Sequence, residues 1–381
     1  MKPSKPTLKA YYPGLNVFRA LAVLMMILAH AARIQTNMGT LHNNPSQAGL
    51  FDWPFVAMLL IEPIISATFL FIAGFSLVLS IAKGKTQAAW QGQSWLTNLG
   101  KKMLVLYLIS VIFYVADQGL QTPDFLVSSG VLAIIAVGVF LSGLLLVSPK
   151  PTVALIIALL CTLLCAYFLE QQKWNIVGLN AGAGGIVPLA SMAFAGALAG
   201  LIWQRWNNNG LWILLAASSV IALLALLQSH PWIVFPRSSI TQYPGNRIDT
   251  VWFSILDFVG LYQGQSATAI VRFWNHTWIF PMRVLPLLVI GLMVSLNTLK
   301  KPLANPIARY TNWLGTQALN LYILHLVLLA VVEVSGLHST AGWQTMLILI
   351  GVIALSSWLL RYVSFVPLKI TLKGNAKAHK N

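Results

Sequence analysis

The run of residues 14–33, GLNVFRALAVLMMILAHAAR, has the length and composition of a membrane-spanning helix, yet it contains Arg19 and His30. An ionisable side chain inside a span is costly and commonly marks a functional site. The two residues are eleven positions apart, or three helical turns, so they lie on nearly the same helix face. At the rise of an α-helix they are about 16 Å apart along the axis. Asn16 and Met26 fall on the same stripe, so this face leads from a polar end to a histidine.

Composition indicates an all-α protein, a polytopic transmembrane helical bundle in a lipid bilayer. Of the 381 residues, 57% are hydrophobic and 8% are charged, whereas soluble domains carry about 25% charged residues. The net charge of +16 comes from basic residues that stand between hydrophobic runs. That pattern is typical of orientation in a membrane, and it argues against a nucleic-acid partner. Cys161 and Cys165 lie within one apolar run and indicate packing.

The hydrophobic runs predict one transmembrane domain over residues 1–381, with about ten spans and a basic tail at 366–381. With the N-terminus inside, most Lys and Arg and none of the acids fall on the cytoplasmic side, so both termini are predicted to be cytoplasmic. A cleaved signal peptide is the alternative for the start, and Arg19 within the apolar run argues against it. The run at 103–116 is short, and we expect it to extend. The predicted spans are residues 15–33, 55–82, 103–116, 125–147, 152–168, 185–203, 211–228, 283–299, 313–334 and 343–365.

Residues 229–282 are predicted to form a long outer loop. The hydrophobic run 250–262 contains Asp257 and is shorter than the about 20 residues that a span needs. We interpret it as an interfacial or re-entrant helix, with an eleven-span arrangement as the alternative. The loop is rich in aromatic residues, including Trp274. An interfacial aromatic belt is the general explanation, and a platform on which a sugar stacks is the functional one.

Few residues in the spans have side chains suited to catalysis. His30 can act as a proton acceptor or can pack as a hydrogen-bonded histidine. Arg19 can bind phosphate or carboxylate or can snorkel to the interface. Glu62, the one acid in the middle of a span, must be protonated, paired or facing a cavity. Pro63, which follows it, is predicted to kink or break the helix.

Further candidates lie in the second and third spans. Gly74 and Ser76 allow the close approach of a ligand or of another helix. Lys101 and Lys102 open the third span on the predicted cytoplasmic side. They serve either as membrane anchors or as contacts for the phosphates of a nucleotide-like donor.

The ninth span contains Gln317, Asn320, Tyr322 and His325. His325 lies about as deep as His30, counted from the cytoplasmic end. We therefore hypothesise that both histidines line one central cavity.

Three stretches carry a family resemblance. Arg19, ten intervening residues and His30 resemble the first span of the membrane-bound acyltransferase-3 family. FLFIAGFSLVLS, residues 69–80, is similar to the Phe-Phe-x-x-Ser-Gly-Phe stretch of that family. It is also similar to the same stretch in the heparan-α-glucosaminide N-acetyltransferase-like membrane proteins, where Ala-Gly replaces Ser-Gly. LGTQALNLYILHLVLL, residues 314–329, resembles a late histidine-containing span of this superfamily. The stretches occur in the expected order over most of the chain.

The resemblance implies transmembrane acyl transfer in a cell membrane, which we expect to be the bacterial inner membrane. A cytoplasmic acyl-CoA, usually acetyl-CoA, would be the donor, and a glycan or similar molecule at the outer face would be the acceptor. His30 matches the catalytic histidine of the family, and Arg19 matches its partner on the donor side. Lys101 and Lys102 stand where the family has an Arg-rich pair, so this chain departs from the pattern there.

The predicted site has His30 as general base or transient acyl carrier. No permanent cofactor and no metal are expected. The competing hypothesis is a transporter or flippase for an anionic or lipid-linked solute, because buried Arg, His and Glu also suit proton-coupled transport. A non-catalytic membrane partner would leave these buried residues unexplained. The other predicted catalytic residues are Arg19, His325 and Glu62, the donor contacts are Arg19, Lys101, Lys102, Gly74 and Ser76, and the acceptor contacts are Tyr322, Asn320, Asp257 and Trp274.

Overall fold

The computed structural model describes residues 12–43, 48–85, 92–118, 126, 129–172, 179, 186–229, 279–298 and 305–362. Over these ranges the regular structure is helical, with one isolated parallel β-bridge between Gln35 and Ser339. The predictions for 250–262, including Asp257, for Trp274 and for the tail at 366–381 lie outside the described residues.

The described α-helices follow one another along the chain, and a short 3₁₀ turn at Ala32–Ile34 continues the first of them. Each of the ten hydrophobic runs identified in the sequence contains a described helix. The short run at 103–116 is extended at both ends, as expected. The helices are α1 Pro13–Ala31, α2 Met38–Asn43, α3 Trp53–Lys85, α4 Gly92–Gln118, α5 Val131–Val147, α6 Pro151–Gln171, α7 Ile186–Ser229, α8 Ile279–Thr298, α9 Pro306–Thr316, α10 Ala318–Val334 and α11 Gly342–Leu359.

Several helices have the properties of membrane spans. Among the described residues, six helices are long and apolar enough to cross a bilayer. The bent pair α9–α10 passes the same test when the two helices are taken together. Helix α5 and part of α8 are apolar but shorter. Large apolar side chains such as Leu104, Leu108 and Ile112 are exposed on α4, which suits contact with lipid. Helices satisfy their own backbone groups, as hydrocarbon requires. The protein is therefore a membrane protein whose described part is all-helical.

Helix α7 is interrupted at Asn207, whose backbone angles are φ 51° and ψ −137°. Residues other than glycine rarely adopt a positive φ, and this ψ is far from the helical value, so the helix is broken at this residue. Just beyond the break, Gly210 lies against Ile202, so the chain reverses direction here. The two halves of α7 correspond to the predicted spans 185–203 and 211–228.

Two predictions about helix continuity are corrected by the structure. The segment predicted as one span at 313–334 consists of α9 and α10, which meet at an angle of 84° at Gln317. Asn305 caps the start of α9 by accepting from the backbone N–H of Ile307 at 2.9 Å. Helix α3 continues through Pro63, so the predicted break does not occur, as membrane helices often tolerate proline; the alternative of a kink at Pro63 stays a prediction.

Helix α1 is surrounded by other helices, and it packs against α3, α8, α9 and α10. The order of the contacts along α1 shows in which direction each neighbouring helix runs. Helix α10 runs parallel to α1, because Gly315, just before α10, meets Asn16 near the start of α1, and Ser339, just after α10, pairs with Gln35 beyond the end of α1. Helix α8 runs antiparallel to α1, with the pairs Gly14–Ser295 and Phe18–Gly291.

Helices α3 and α7 approach each other closely at glycines. A Cβ atom on Gly74 would collide with the carbonyl oxygen of Ala193, and one on Gly196 would collide with that of Phe71. Small residues allow this contact, which membrane helices use because hydrophobic burial gives little driving force between them in lipid. The contact fixes the position of α3, which carries Ser76.

We expect Gly196→Ala to lower the melting temperature of the detergent-purified protein, because the new methyl group has no space beside Phe71. Overpacking of this kind costs about 1–3 kcal/mol. Gly351→Ala in α11 is the matched control, since nothing lies within 4 Å of its Cβ position. That control should be neutral or stabilising by up to about 1 kcal/mol. Equal melting temperatures for the two variants would contradict the described packing of α3 on α7.

Candidate functional site

A polar cluster surrounds Arg19 in the first half of α1. The Arg19 guanidinium donates through Nη1 to Asn16 Oδ1 at 3.0 Å and through Nη2 to Ser76 Oγ of α3. The Ser76 hydroxyl donates to the carbonyl of Ile72 at 2.6 Å, which leaves its oxygen lone pairs for Arg19. Two of the predicted donor contacts, Arg19 and Ser76, are therefore in direct contact.

Asn312 of α9 extends this cluster, although the sequence analysis did not identify it. Asn16 Nδ2 donates to Asn312 Oδ1 at 3.1 Å. This bond orients the Asn16 amide so that its oxygen faces Arg19. Gly315, one turn further along α9, lies directly against the backbone of Asn16. The sequence signal was weak, because an asparagine before the span looks like an ordinary loop or cap residue.

The described hydrogen-bond partners of Arg19 are neutral oxygens. The carboxylates with described side chains are distant from it. Asp52 binds Gln35 at 2.6 Å and the Gly49 N–H at 3.0 Å beyond the other end of α1, and Glu333 is exposed near the end of α10. Among the residues that the structure describes, the charge of Arg19 is thus not paired with an acid. Such a guanidinium is suited to bind an anion.

A histidine pair lies near the other end of α1. His30 Nδ1 and His325 Nε2 are 2.9 Å apart, and their rings stack with centroids 5.2 Å apart and planes 18° apart. His325 is fully buried, and its Nδ1 lies 3.2 Å from the carbonyl oxygen of Leu321. The geometry brings the two histidines into direct contact; that they line one central cavity stays a prediction.

Aromatic side chains lie beside the pair. Tyr322 lies edge-on to His30 and His325, with centroids 6.1 Å and 5.1 Å away. Phe69 of α3 lies edge-on to Tyr322 at 5.8 Å. Each of the three stretches that carried the family resemblance contributes side chains to this region. The structure therefore joins parts of the sequence that are about 300 residues apart.

The other predicted site residues lie elsewhere or have local partners. Asn320 donates to Gln317 at 3.1 Å, and Gly74 packs against α7, which fits the alternative of close helix packing. Lys101 is exposed, whereas the Lys102 ammonium is buried without a hydrogen-bond partner among the described residues. Both lysines lie on α4, which packs chiefly on α5, while Arg19 faces α3. The structure does not bring the lysines and Arg19 into contact.

Glu62 is in α3, but its side chain is outside the described part of the structure, so its predicted role is untested. The described residues contain no group of three or more His, Cys, Asp or Glu side chains that could hold a metal ion.

A second polar network beyond the end of α1 was also absent from the sequence analysis. Gln35 is buried; it donates to Asn37 at 2.7 Å and to Asp52 at 2.6 Å, and it accepts from Thr345 at 3.2 Å. Thr345 is also 2.6 Å from the hydroxyl of Ser339. The network ties the end of α1 to the starts of α3 and α11. It holds the segment that follows His30.

The two clusters give α1 a cation at one level and a histidine pair at another. Both face the side of α1 that is covered by α3, α9 and α10. Since α1 is continuous from Pro13 to Ala31, Arg19 and His30 are about 16 Å apart along it. This arrangement can hold an anionic group at one position and place a base at the other.

The family model described as heparan-alpha-glucosaminide N-acetyltransferase, catalytic, matches residues 12–235. The matched region contains Arg19, His30 and Ser76, whereas His325 and Tyr322 lie beyond it. Comparison with curated proteins and with solved structures gave no match. The resemblance to the acyltransferase-3 family stays a prediction. Because the match covers more than half of the chain, the protein belongs to the heparan-α-glucosaminide N-acetyltransferase catalytic family and is a membrane acetyltransferase.

Proposed function

We propose that this protein transfers an acetyl group from cytoplasmic acetyl-CoA to a saccharide at the outer face of the bacterial inner membrane. The observation that carries the proposal is the single helix α1, which holds an anion-binding guanidinium and a histidine on the same side about 16 Å apart. A CoA thioester has this layout, with phosphates at one end of an extended arm and the acyl group at the other.

The donor would bind with a phosphate at Arg19. The guanidinium is already fixed by Asn16 and Ser76, so little of its side-chain freedom remains to be lost on binding. The buried ammonium of Lys102 is a second cation for the donor, at a separate place in the bundle. The family name refers to a saccharide acceptor, and this supports acyl transfer over the transport hypothesis.

The chemical step follows from the position of His30. An imidazole nitrogen removes the proton from an acceptor hydroxyl or amine as that oxygen or nitrogen attacks the thioester carbonyl carbon. The carbon–sulfur bond breaks as the tetrahedral intermediate collapses, and the CoA thiolate takes the proton back from the imidazolium. The products are the acetylated saccharide and free CoA, and the histidine returns to its neutral form.

Helix directions support ten spans with both termini in the cytoplasm. In a ten-span count α1 is span 1, α8 is span 8 and α10 is span 9. Spans 1 and 9 should then be parallel and spans 1 and 8 antiparallel, and the contacts of α1 have these directions. An eleven-span count with a crossing at 250–262 would reverse both relations. The reversal at Asn207 fits spans 6 and 7.

A sided assay tests the direction of transfer together with the role of His30. Proteoliposomes with the N-terminal tag accessible outside are given labelled acetyl-CoA outside and amino sugars or oligosaccharides inside. We expect labelled saccharide inside. His30→Ala should lower the rate at least a hundredfold, since general-base catalysis contributes about 10²–10⁴-fold. His338→Ala, an exposed histidine between α10 and α11, is the matched control and should retain activity.

Two results of that assay would contradict the proposal. If the wild-type protein neither binds acetyl-CoA nor forms product, acetyl-CoA is not the donor. If product forms only when donor and acceptor are on the same side, the protein does not transfer the acetyl group across the membrane.

We expect Arg19→Gln to raise the Kd for CoA at least tenfold. Hydrogen bonds to charged groups contribute about 1.5–3 kcal/mol, and about 1.4 kcal/mol is tenfold in affinity. Asn312→Leu, which removes the acceptor that orients Asn16, should raise the Kd about fivefold, as expected for a neutral hydrogen bond of about 1 kcal/mol. Titration of CoA into the detergent-purified variants measures both values.

The control for this titration is Arg309→Gln, which removes an exposed arginine of α9. It should leave the Kd unchanged. An Arg19→Gln variant that binds CoA like the wild type would show that the phosphates bind elsewhere.

A further inference from the structure

We propose that His325 is a positioning residue that fixes the tautomer of His30, so that Nε2 of His30 is the atom that accepts the proton. The tautomer assignment rests on hydrogen-bond geometry alone. Its use in acetyl transfer rests on the proposed function. His325 lies outside the region matched by the family model.

The ring of His325 contacts the backbone of its own helix, α10. His325 Nδ1 is 3.2 Å from the carbonyl oxygen of Leu321, one helical turn earlier. A carbonyl oxygen can only accept, so Nδ1 of His325 must carry a hydrogen and donate it. The proton of the neutral His325 ring is therefore on Nδ1, and its Nε2 is an acceptor.

The burial of His325 supports the neutral form. Its side chain is completely inaccessible, and its neighbours are the rings of His30 and Tyr322. No described carboxylate pairs with it, because Asp52 binds Gln35 and Glu333 is exposed near the end of α10. A buried charge without a partner is strongly disfavoured, whereas a neutral ring satisfies both of its nitrogens here.

The tautomer of His325 determines the tautomer of His30. Its Nδ1 lies 2.9 Å from His325 Nε2. Since that Nε2 is an acceptor, His30 Nδ1 must donate, and the neutral His30 ring carries its hydrogen on Nδ1. The unprotonated nitrogen of His30 is Nε2. This is the less common tautomer of a free neutral histidine, so the enzyme has to enforce it.

Ring packing keeps this arrangement in place. The two imidazoles stack within 18° of coplanar, and Tyr322 lies edge-on to both. Phe69 supports Tyr322 from α3. Rotation of the His30 ring would break its bond to His325 and its edge contact with Tyr322. The geometry therefore fixes both the orientation of the base and its tautomer.

The chemical consequence is specific. His30 Nε2 removes the proton from the acceptor, and the resulting imidazolium keeps its Nδ1–H bonded to His325. The same Nε2–H then returns the proton to the CoA thiolate. Because His325 is neutral, it orients His30 without holding it in the protonated form before reaction, as a carboxylate at this position would.

Two amide variants separate this role from simple packing. In His325→Gln the amide reaches the position of Nε2, so its oxygen can accept from His30 Nδ1. In His325→Asn the amide reaches only the position of Nδ1, near Leu321. We expect His325→Gln to keep kcat within about tenfold of the wild type, whereas His325→Asn and His325→Leu lose more than that, up to the about 10²–10⁴-fold of a general base. The KM for acetyl-CoA should not change, because Arg19 is distant.

Nitrogen-15 NMR of histidine-labelled wild-type protein tests the tautomers without any activity. The His30 signals are identified by their loss in His30→Ala, at a pH where the rings are neutral. We expect His30 to carry its hydrogen on Nδ1, and we expect the Nε2–H form to increase in His325→Leu. His30 with its hydrogen on Nε2 in the wild type would overturn the proposal, as would equal kcat for the glutamine, asparagine and leucine variants.

These readouts also separate the proposal from the proposed function. If the tautomer is as predicted and no acetyl transfer occurs, the assignment stands and the proposed function fails. If acetyl transfer requires His30 but the hydrogen lies on Nε2, the function stands and the role of His325 is refuted.

Discussion

The structure depends on the burial of a polar stripe of α1 in a bundle of apolar helices. A guanidinium inside a membrane protein is costly unless polar groups surround it. Here the groups are an asparagine amide and a serine hydroxyl, and they are supplied by α1 and by α3. Among the described residues, the groups that orient the charge are neutral oxygens, and none is an acid that neutralises it. This leaves Arg19 able to bind an anionic ligand, and it explains why α3 and α9 must pack tightly against this part of α1.

The parallel course of α1 and α10 explains how distant parts of the chain form one site. The segments that carry the two helices meet at three levels: at Asn16 of α1 with Gly315 at the end of α9, at His30 with His325, and at Gln35 with Ser339 beyond the ends of α1 and α10. The first contact is close backbone packing, the second is a hydrogen bond between imidazoles, and the third is a β-bridge. A shift of one helix along the other would break all three. The register of the histidine pair is therefore fixed by contacts on either side of it.

Much of this architecture was predictable from local pattern. Hydropathy identified runs that contain the described helices, and the spacing of Arg19 and His30 gave their common face. The similar depth of His325 and His30 suggested a shared cavity, and the structure places the two rings in contact. These predictions succeeded because helical periodicity and membrane thickness are local constraints. The family resemblance added the chemistry, and the match to residues 12–235 supports its acetyltransferase part.

The remaining features depend on tertiary contacts that a single sequence does not encode locally. The bend at Gln317 arises where α9 lies across α1, and hydropathy alone merges the two helices. Asn312 gains its importance only from the amide of Asn16 opposite it. Lys101 and Lys102 fitted a donor site by sequence order, yet α4 packs on a different part of the bundle. The tautomer of His30 likewise requires the geometry of α10.

The most direct test of this account is a structure of the protein with a non-hydrolysable acetyl-CoA analogue. The account predicts a phosphate of the analogue within hydrogen-bond distance of the Arg19 guanidinium. It also predicts that the carbonyl carbon of the analogue, at the position of the thioester carbonyl carbon, lies on the Nε2 side of His30. The space between this carbon and Nε2 should be large enough for the acceptor. An analogue bound at Lys101 and Lys102, with its acyl group away from the histidine pair, would contradict the central claim that α1 holds donor and base on one face.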